Sequence, residues 1–192
     1  MLPGGILSTT PITGAFQWSR NEDIQDDLIS YEMGGIALND ASMGLHYQMW
    51  KGSLVENNIM LESATQVPVS IYTGVNITGL SISFDQNMRP TAAFTENGLA
   101  KLLWYDSTVP GQVVTTLAAG VTTPKVTMDD KRSTQSGISD IILSYVRDFK
   151  ICYRQQRDRF ETEYILTDQV CKRLIKVGMN SKLRLQWMFE EI

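Results

Sequence analysis

An all-β fold, arranged as a four-bladed β-propeller-like ring, follows from three features of this sequence. An apolar residue followed by Asn or Asp recurs at the end of a short strand-like run: Leu38-Asn39, Phe84-Asp85, Met128-Asp129 and Met179-Asn180, at intervals of 46, 44 and 51 residues. That spacing suits a propeller blade of four short strands. Between these markers lie short apolar runs, several alternating with polar residues in the period-two pattern of a half-buried strand. Turn signals separate the runs, the strongest being Glu96-Asn97-Gly98, since Asn-Gly readily supplies the positive φ of a tight hairpin. Because the units share little identity, an irregular β-sandwich with four similar spacings is the alternative fold.

Taken in order, residues 1–13 are rich in Gly, Pro, Ser and Thr and read as an extended arm able to dock on a neighbour. Two strand candidates follow at 14–18 and 28–31. The first unit, about 35–73, offers strands at 35–38, 45–50, 54–61 and 67–72, with a turn at Lys51-Gly52. The second, about 79–118, alternates through Leu80, Ile82 and Phe84, continues at 91–94, turns at Asn97-Gly98, and adds strands at 101–105 and 113–117. The third, about 124–167, holds Val126 and Met128, a polar loop over 131–139, and strands at 141–146, 150–155 and 162–166, turning near Asp148. The last, about 173–190, has only two, 174–177 and 183–189. The candidates within 14–32 are expected to complete it, pairing N-terminal strands with C-terminal ones and leaving no open edge. Only 21–31 offers a helix, and it lacks an apolar stripe.

The 192 residues suffice for one ordinary domain with a proper core. No apolar stretch approaches the roughly 20 residues that cross a bilayer, and the N-terminus has neither the basic nor the apolar region of a secretory signal. Neither membrane insertion nor secretion is expected. Net charge is −4, unevenly spread: residues 1–124 carry four basic and eleven acidic side chains, and residues 125–192 carry thirteen and ten. The basic residues are interleaved with acids, so no nucleic-acid partner is expected. Two cysteines make no disulfide framework; Cys152, within Ile151-Cys152-Tyr153, reads as a buried free thiol. With His46 the only histidine, no Cys/His metal site is expected.

Four recurring Asn or Asp residues around a ring axis are a conceivable oxygen ligand set for a hard cation. Only two are carboxylates, however, and Asn or Asp at a strand end usually serves the turn; Asn39, Asp85, Asp129 and Asn180 are therefore read as turn residues. Carboxylates such as Asp26-Asp27, Asp129-Asp130 and Glu190-Glu191 give no distinguished pair, and G-x-S-x-G, P-loop and G-x-G-x-x-G motifs are absent. The expectation is a protein that is not an enzyme and needs no cofactor or metal. The stretch 153–160 looks most functional: Arg154, Arg157, Arg159 and Phe160 form a candidate interaction surface, since arginines among aromatics suit contacts. A solvated hairpin with Arg–Asp pairing is the alternative. The Trp and Tyr residues fall mostly at strand positions and read as packing rather than as a sugar platform. Asn76-Ile77-Thr78 matches the glycosylation sequon, which carries no weight without a secretory signal.

The runs SFDQNMRPTAAFTENGLAKLLWYDSTVPGQV, TMDDKR, SDIILSYVRDFKICYRQQRDRFETEYIL and LIKVGMNSKLRLQW, spanning roughly residues 33–189, resemble a group of small virion structural proteins of tailed bacteriophages. The resemblance lies in the whole pattern, is weaker over the first 32 residues, and carries over no catalytic residue. It implies a structural or adaptor component of the tail or tail tip, assembled in the host bacterial cytoplasm, with other virion tail proteins as partners and several copies per particle. A receptor-recognition module binding a host surface glycan or appendage is the alternative.

Overall fold

Short apolar runs joined by tight turns satisfy their backbone N–H and C=O groups most directly by pairing with the next run along the chain. The computed structural model describes residues 34–39, 48–63, 66–85, 89–128, 141–167, 170–179 and 185–191. These form four consecutive antiparallel sheets. The first contains β1 (Gly34–Asn39), β2 (Gln48–Val55), β3 (Asn58–Ser63) and β4 (Gln66–Thr73). The second contains β5 (Ile77–Phe84), β6 (Pro90–Glu96), β7 (Leu99–Tyr105) and β8 (Gln112–Thr116). The third contains β9 (Thr122–Met128), β10 (Ile141–Arg147), β11 (Lys150–Gln155) and the short β12 (Tyr164–Ile165). The fourth is the hairpin of β13 (Cys171–Met179) and β14 (Leu185–Glu191). In every sheet each strand pairs with its neighbour in sequence.

The all-β prediction holds, and the hairpin at Asn97-Gly98 forms as expected. These residues have φ of 50° and 80°, the two positive values suited to a two-residue connection between Glu96 and Leu99. The first unit needs a correction. Lys51-Gly52, read as a turn, lies inside β2, and the chain turns instead at Glu56-Asn57, with Glu56 at φ 55°. Gly52 serves packing: a Cβ there would sit 2.8 Å from Ile82 Cγ2 and 3.3 Å from Leu80 Cδ2. The neighbouring sheet rests on bare backbone. The strand expected at 45–50 accordingly runs on to Val55, and the one expected at 54–61 begins at Asn58.

Three apolar layers separate the four sheets. Ile59 and Leu61 meet Leu80, Ile82, Phe84 and Phe94 between the first and second. Leu102 and Trp104 meet Val126, Leu143 and Tyr145 between the second and third. Val146 and Ile151 meet Leu174 and Val177, with Trp187 and Phe189 alongside, between the third and fourth. The middle sheets are thus covered on both faces, which is why β10 is buried at six consecutive positions rather than alternately. Each large apolar side chain taken from water contributes about 1.5–3 kcal/mol. Successive sheets also meet through their first strands: β5 packs against β1 and β9, and β9 against β13. Two side-chain hydroxyls seal this seam, Ser81 Oγ accepting from Val126 N at 3.1 Å and Thr123 Oγ1 from Leu174 N at 3.0 Å.

Residues 1–33, including the expected arm and the strand candidates at 14–18 and 28–31, lie outside the described residues, as do the loop 131–139 and His46. Among the described residues, no helix is long and apolar enough to cross a membrane.

Candidate functional site

Of the four residues singled out from sequence, Arg154 lies in β11 and the other three in the connection from β11 to β12. After Gln155 the chain makes one 3-10 turn, Gln156–Asp158, and then places both Arg159 and Phe160 in the left-handed region at φ 59°. For side chains other than glycine this costs about 1–2 kcal/mol per residue. Backbone bonds close the turn: Arg159 N donates to Gln156 O at 2.8 Å, Phe160 N to Gln155 O at 2.9 Å, and Glu161 N to Asp158 O at 3.1 Å.

The strained backbone delivers two side chains to the second sheet. Phe160, only 3 % exposed, packs edge-on against Trp104 with ring centroids 5.0 Å apart. Arg159 donates through Nε and Nη2 to Asp106 Oδ2 at 3.1 and 2.7 Å. Asp106 follows β7 directly, and its Oδ1 accepts from Thr108 N at 2.9 Å and Thr108 Oγ1 at 2.8 Å. The hydrogen bond from the Thr108 backbone, then its hydroxyl and the Arg159 guanidinium, hold the Asp106 carboxyl below its ordinary range against the opposing pull of burial.

Behind the turn lies a polar network within the third sheet. Tyr145, fully buried, donates its hydroxyl to Glu163 and accepts from Arg154 Nε at 2.8 Å. Arg154 Nη1 also donates to Phe160 O at 2.8 Å, and Arg147 pairs with Glu163. Burial, reinforced by the Glu163 carboxylate, pushes the Tyr145 phenol well above its ordinary value. A third polar cluster links the first two sheets. Glu96 accepts from Val75 N at 2.8 Å, from Tyr72 Oη at 3.1 Å and from Lys101 Nζ. The Lys101 hydrogen bond leads in holding the Glu96 carboxyl below its ordinary range.

The four candidate residues therefore have different fates. The surface assignment of Phe160 is corrected, because its ring fills the layer between two sheets. Arg154 is partly buried, held inward by Tyr145, Glu163 and the Phe160 carbonyl. Arg157 is exposed, and Arg159 remains half-exposed while paired with Asp106. Between them, Asp158 encloses both carboxylate oxygens with no hydrogen-bond partner among the described residues. Asp106, Tyr145 and Glu163 were not singled out from sequence. Asp106-Ser107-Thr108 does carry a signal, because Asp followed two residues later by Thr commonly builds a side-chain-capped turn.

Asp85 serves the turn, as the sequence indicates. Its Oδ1 accepts from Arg89 N at 3.0 Å and its Oδ2 from Arg89 Nε at 2.8 Å, while Asp85 N donates to Arg89 O at 3.0 Å. The Arg89 guanidinium lies 5.1 Å from the centroid of the Tyr105 ring. Asn39 ends β1, whereas Asp129 and Asn180 lie outside the described residues. Among the described residues, no group of three His, Cys, Asp or Glu side chains is placed to hold a metal ion. Cys152 is a buried free thiol as read from sequence, Cys171 is another, and burial pushes both thiols up.

No protein-family model matches the chain, and neither does any curated protein or solved structure.

Proposed function

We propose that this chain is a non-enzymatic structural or adaptor component of a tailed-phage virion, seated in the tail or tail tip. We further propose that its four sheets close into a four-bladed ring, with residues 14–32 completing the last blade. The resemblance over roughly residues 33–189 to tail-associated virion proteins carries the first part. The ring is supported by the recurring contact of β1 with β5, β5 with β9, and β9 with β13, a relation that a propeller repeats around its axis. The ionisable side chains described above suit such a role: Glu96 and Asp106 each tie one sheet to the next. A component of this kind is assembled in the host cytoplasm, contacts other tail proteins, and is present in several copies because tails are symmetric.

Mass spectrometry of purified particles tests the assignment. The chain is expected among the virion proteins in a stoichiometric multiple, and its absence from infectious particles overturns the reading.

Exposure of Arg157 and Arg159 favours a second reading, a host-receptor contact at this turn. In that case Arg157→Ala lowers adsorption while particles still assemble. Failed assembly returns the argument to the structural role.

A further inference from the structure

The outer edge of the second sheet is regular, uncharged and paired on one side only. In the order β5-β6-β7-β8, β8 is the last strand, and no described strand lies beyond it. Leu117 N donates to Ala100 O at 2.9 Å, and the register between β7 and β8 runs without a shift from Lys101↔Thr116 to Tyr105↔Gln112. Antiparallel strands bond a given neighbour through alternate residues, so Val113, Thr115 and Leu117 bond β7. The N–H and C=O groups of Gln112, Val114 and Thr116 therefore point away from the sheet. These three residues are also exposed, Val114 to 40 %. Val113 and Thr115 instead face the third sheet: Val113 packs on the apolar layer, and Thr115 Oγ1 accepts from Trp104 Nε1 at 3.1 Å. Open edges are ordinarily blunted by a charge, a proline, a bulge or shortness. The other outer edges of the four-stranded sheets show such devices. β4 contains Pro68, which has no N–H to donate, and its pairing with β3 shifts register twice. β12 is two residues long. β8 has none of these protections, and no charged residue occurs between Asp106 and Lys125.

We infer that β8 pairs antiparallel with β8 of a second copy of this chain, joining two second sheets edge to edge across a two-fold axis at Val114. The run Gln112-Val113-Val114-Thr115-Thr116 selects that occupant because it complements itself when reversed. With Val114 on the axis, Gln112 of each copy stands opposite Thr116 of the other, and the two Val114 side chains meet on the exposed face. The three outward residues of each copy then exchange backbone bonds, about six in all. A β-branched pair at the axis adds side-chain contact, and no like charges are brought together. A strand from a charged partner would find no opposite charge on β8 to recognise. Because β7 already occupies the inner side of β8, the contact is isologous and closes as a dimer rather than growing into a fibre. The inference goes beyond the proposed virion role, and either can fail without the other.

Sedimentation equilibrium of the full-length chain tests it. A strand pair this short buries less than a standard interface, so a monomer is expected on dilution and a dimer as concentration rises through the micromolar range. Val114→Lys and Val114→Glu each set like charges face to face at the axis, and each is expected to raise the dissociation constant about tenfold. Mixed in equal amounts, the two variants are expected to associate within about threefold of the native affinity, since Lys then opposes Glu. Residue 114 is exposed, so both variants are expected to keep the melting temperature of the dilute native chain. Should either unfold, Val114→Pro takes its place, because it removes only an outward N–H and is expected to weaken the dimer likewise. A monomer at every concentration overturns the inference, as does a dimer that Val114→Lys leaves unchanged or a mixture that fails to associate. Hydrogen exchange adds a separate arm. Fast exchange of the Gln112, Val114 and Thr116 amides in the monomer, slowing in the dimer, supports the pairing. Slow exchange of the same amides in the monomer overturns it, because the edge is then covered within one chain.

Discussion

Phe160 and Arg159 show how a single turn can spend backbone strain to gain contacts between sheets. Two consecutive left-handed residues are tolerated because one buries an aromatic ring against Trp104 and the other caps the buried carboxylate of Asp106. Phe160→Ala is accordingly expected to cost about 3–5 kcal/mol in urea unfolding, while Arg157→Ala, on the exposed side of the same turn, changes stability by less than about 0.5 kcal/mol. Equal effects contradict the division of roles. The titrations carry signs as well. Glu96 and Asp106 are depressed in the folded chain, so the stability they contribute is present above their ordinary range near pH 4 and is lost as pH falls through the lower folded values. Tyr145 is raised, so its contribution is complete below the ordinary phenol value near pH 10 and is lost as pH rises through the folded value. Melting temperature followed across pH is expected to fall at both extremes. An acid limb unchanged by Glu96→Gln with Asp106→Asn contradicts the first assignment. At this scale the sequence was only partly legible. Asp85 announced its turn through its place at a strand end, whereas a stretch dense in arginine concealed that Phe160 points inward, because left-handed backbone leaves no mark in residue type here.

Strands and turns were more readable, and for a definite reason. Alternation through Leu80, Ile82 and Phe84 reports which face is buried, and Asn97-Gly98 encodes its own backbone geometry. Lys51-Gly52 misled because glycine also appears where another sheet approaches closely, and the Ile82 and Leu80 side chains that press on Gly52 are distant in sequence. The two glycines can be told apart by substitution. Gly98→Ala meets no atom within 4 Å, so it costs only backbone strain, about 1–2 kcal/mol. Gly52→Ala has ordinary strand backbone but drives a methyl into the layer between sheets, for about 1–3 kcal/mol. Trimming Ile82 to Val is expected to relieve the second loss and leave the first unchanged, as chemical denaturation of the double variants measures. Additive losses at Gly52 and Ile82 contradict the packing account.

For the molecule as a whole, the four sequence units correspond to four sheets that meet through their first strands, with apolar layers between them. The fold class was legible because a period near 45 residues survives even where identity does not. Of the four residues read from sequence as a candidate interaction surface, only Arg157 and Arg159 are exposed, because long-range partners such as Asp106 and Trp104 decide which side chains stay outside. The charged and aromatic groups described above chiefly hold sheet to sheet, which supports the proposed role in a larger assembly. Cryo-electron microscopy of a tailed-phage particle, the proposed setting of the chain, tests the proposed role most directly. The account predicts several symmetry-related copies packed in the tail or its tip, each with four sheets closed into a ring. Particles that lack density for the chain, or that carry it with the four sheets in an open row, contradict it.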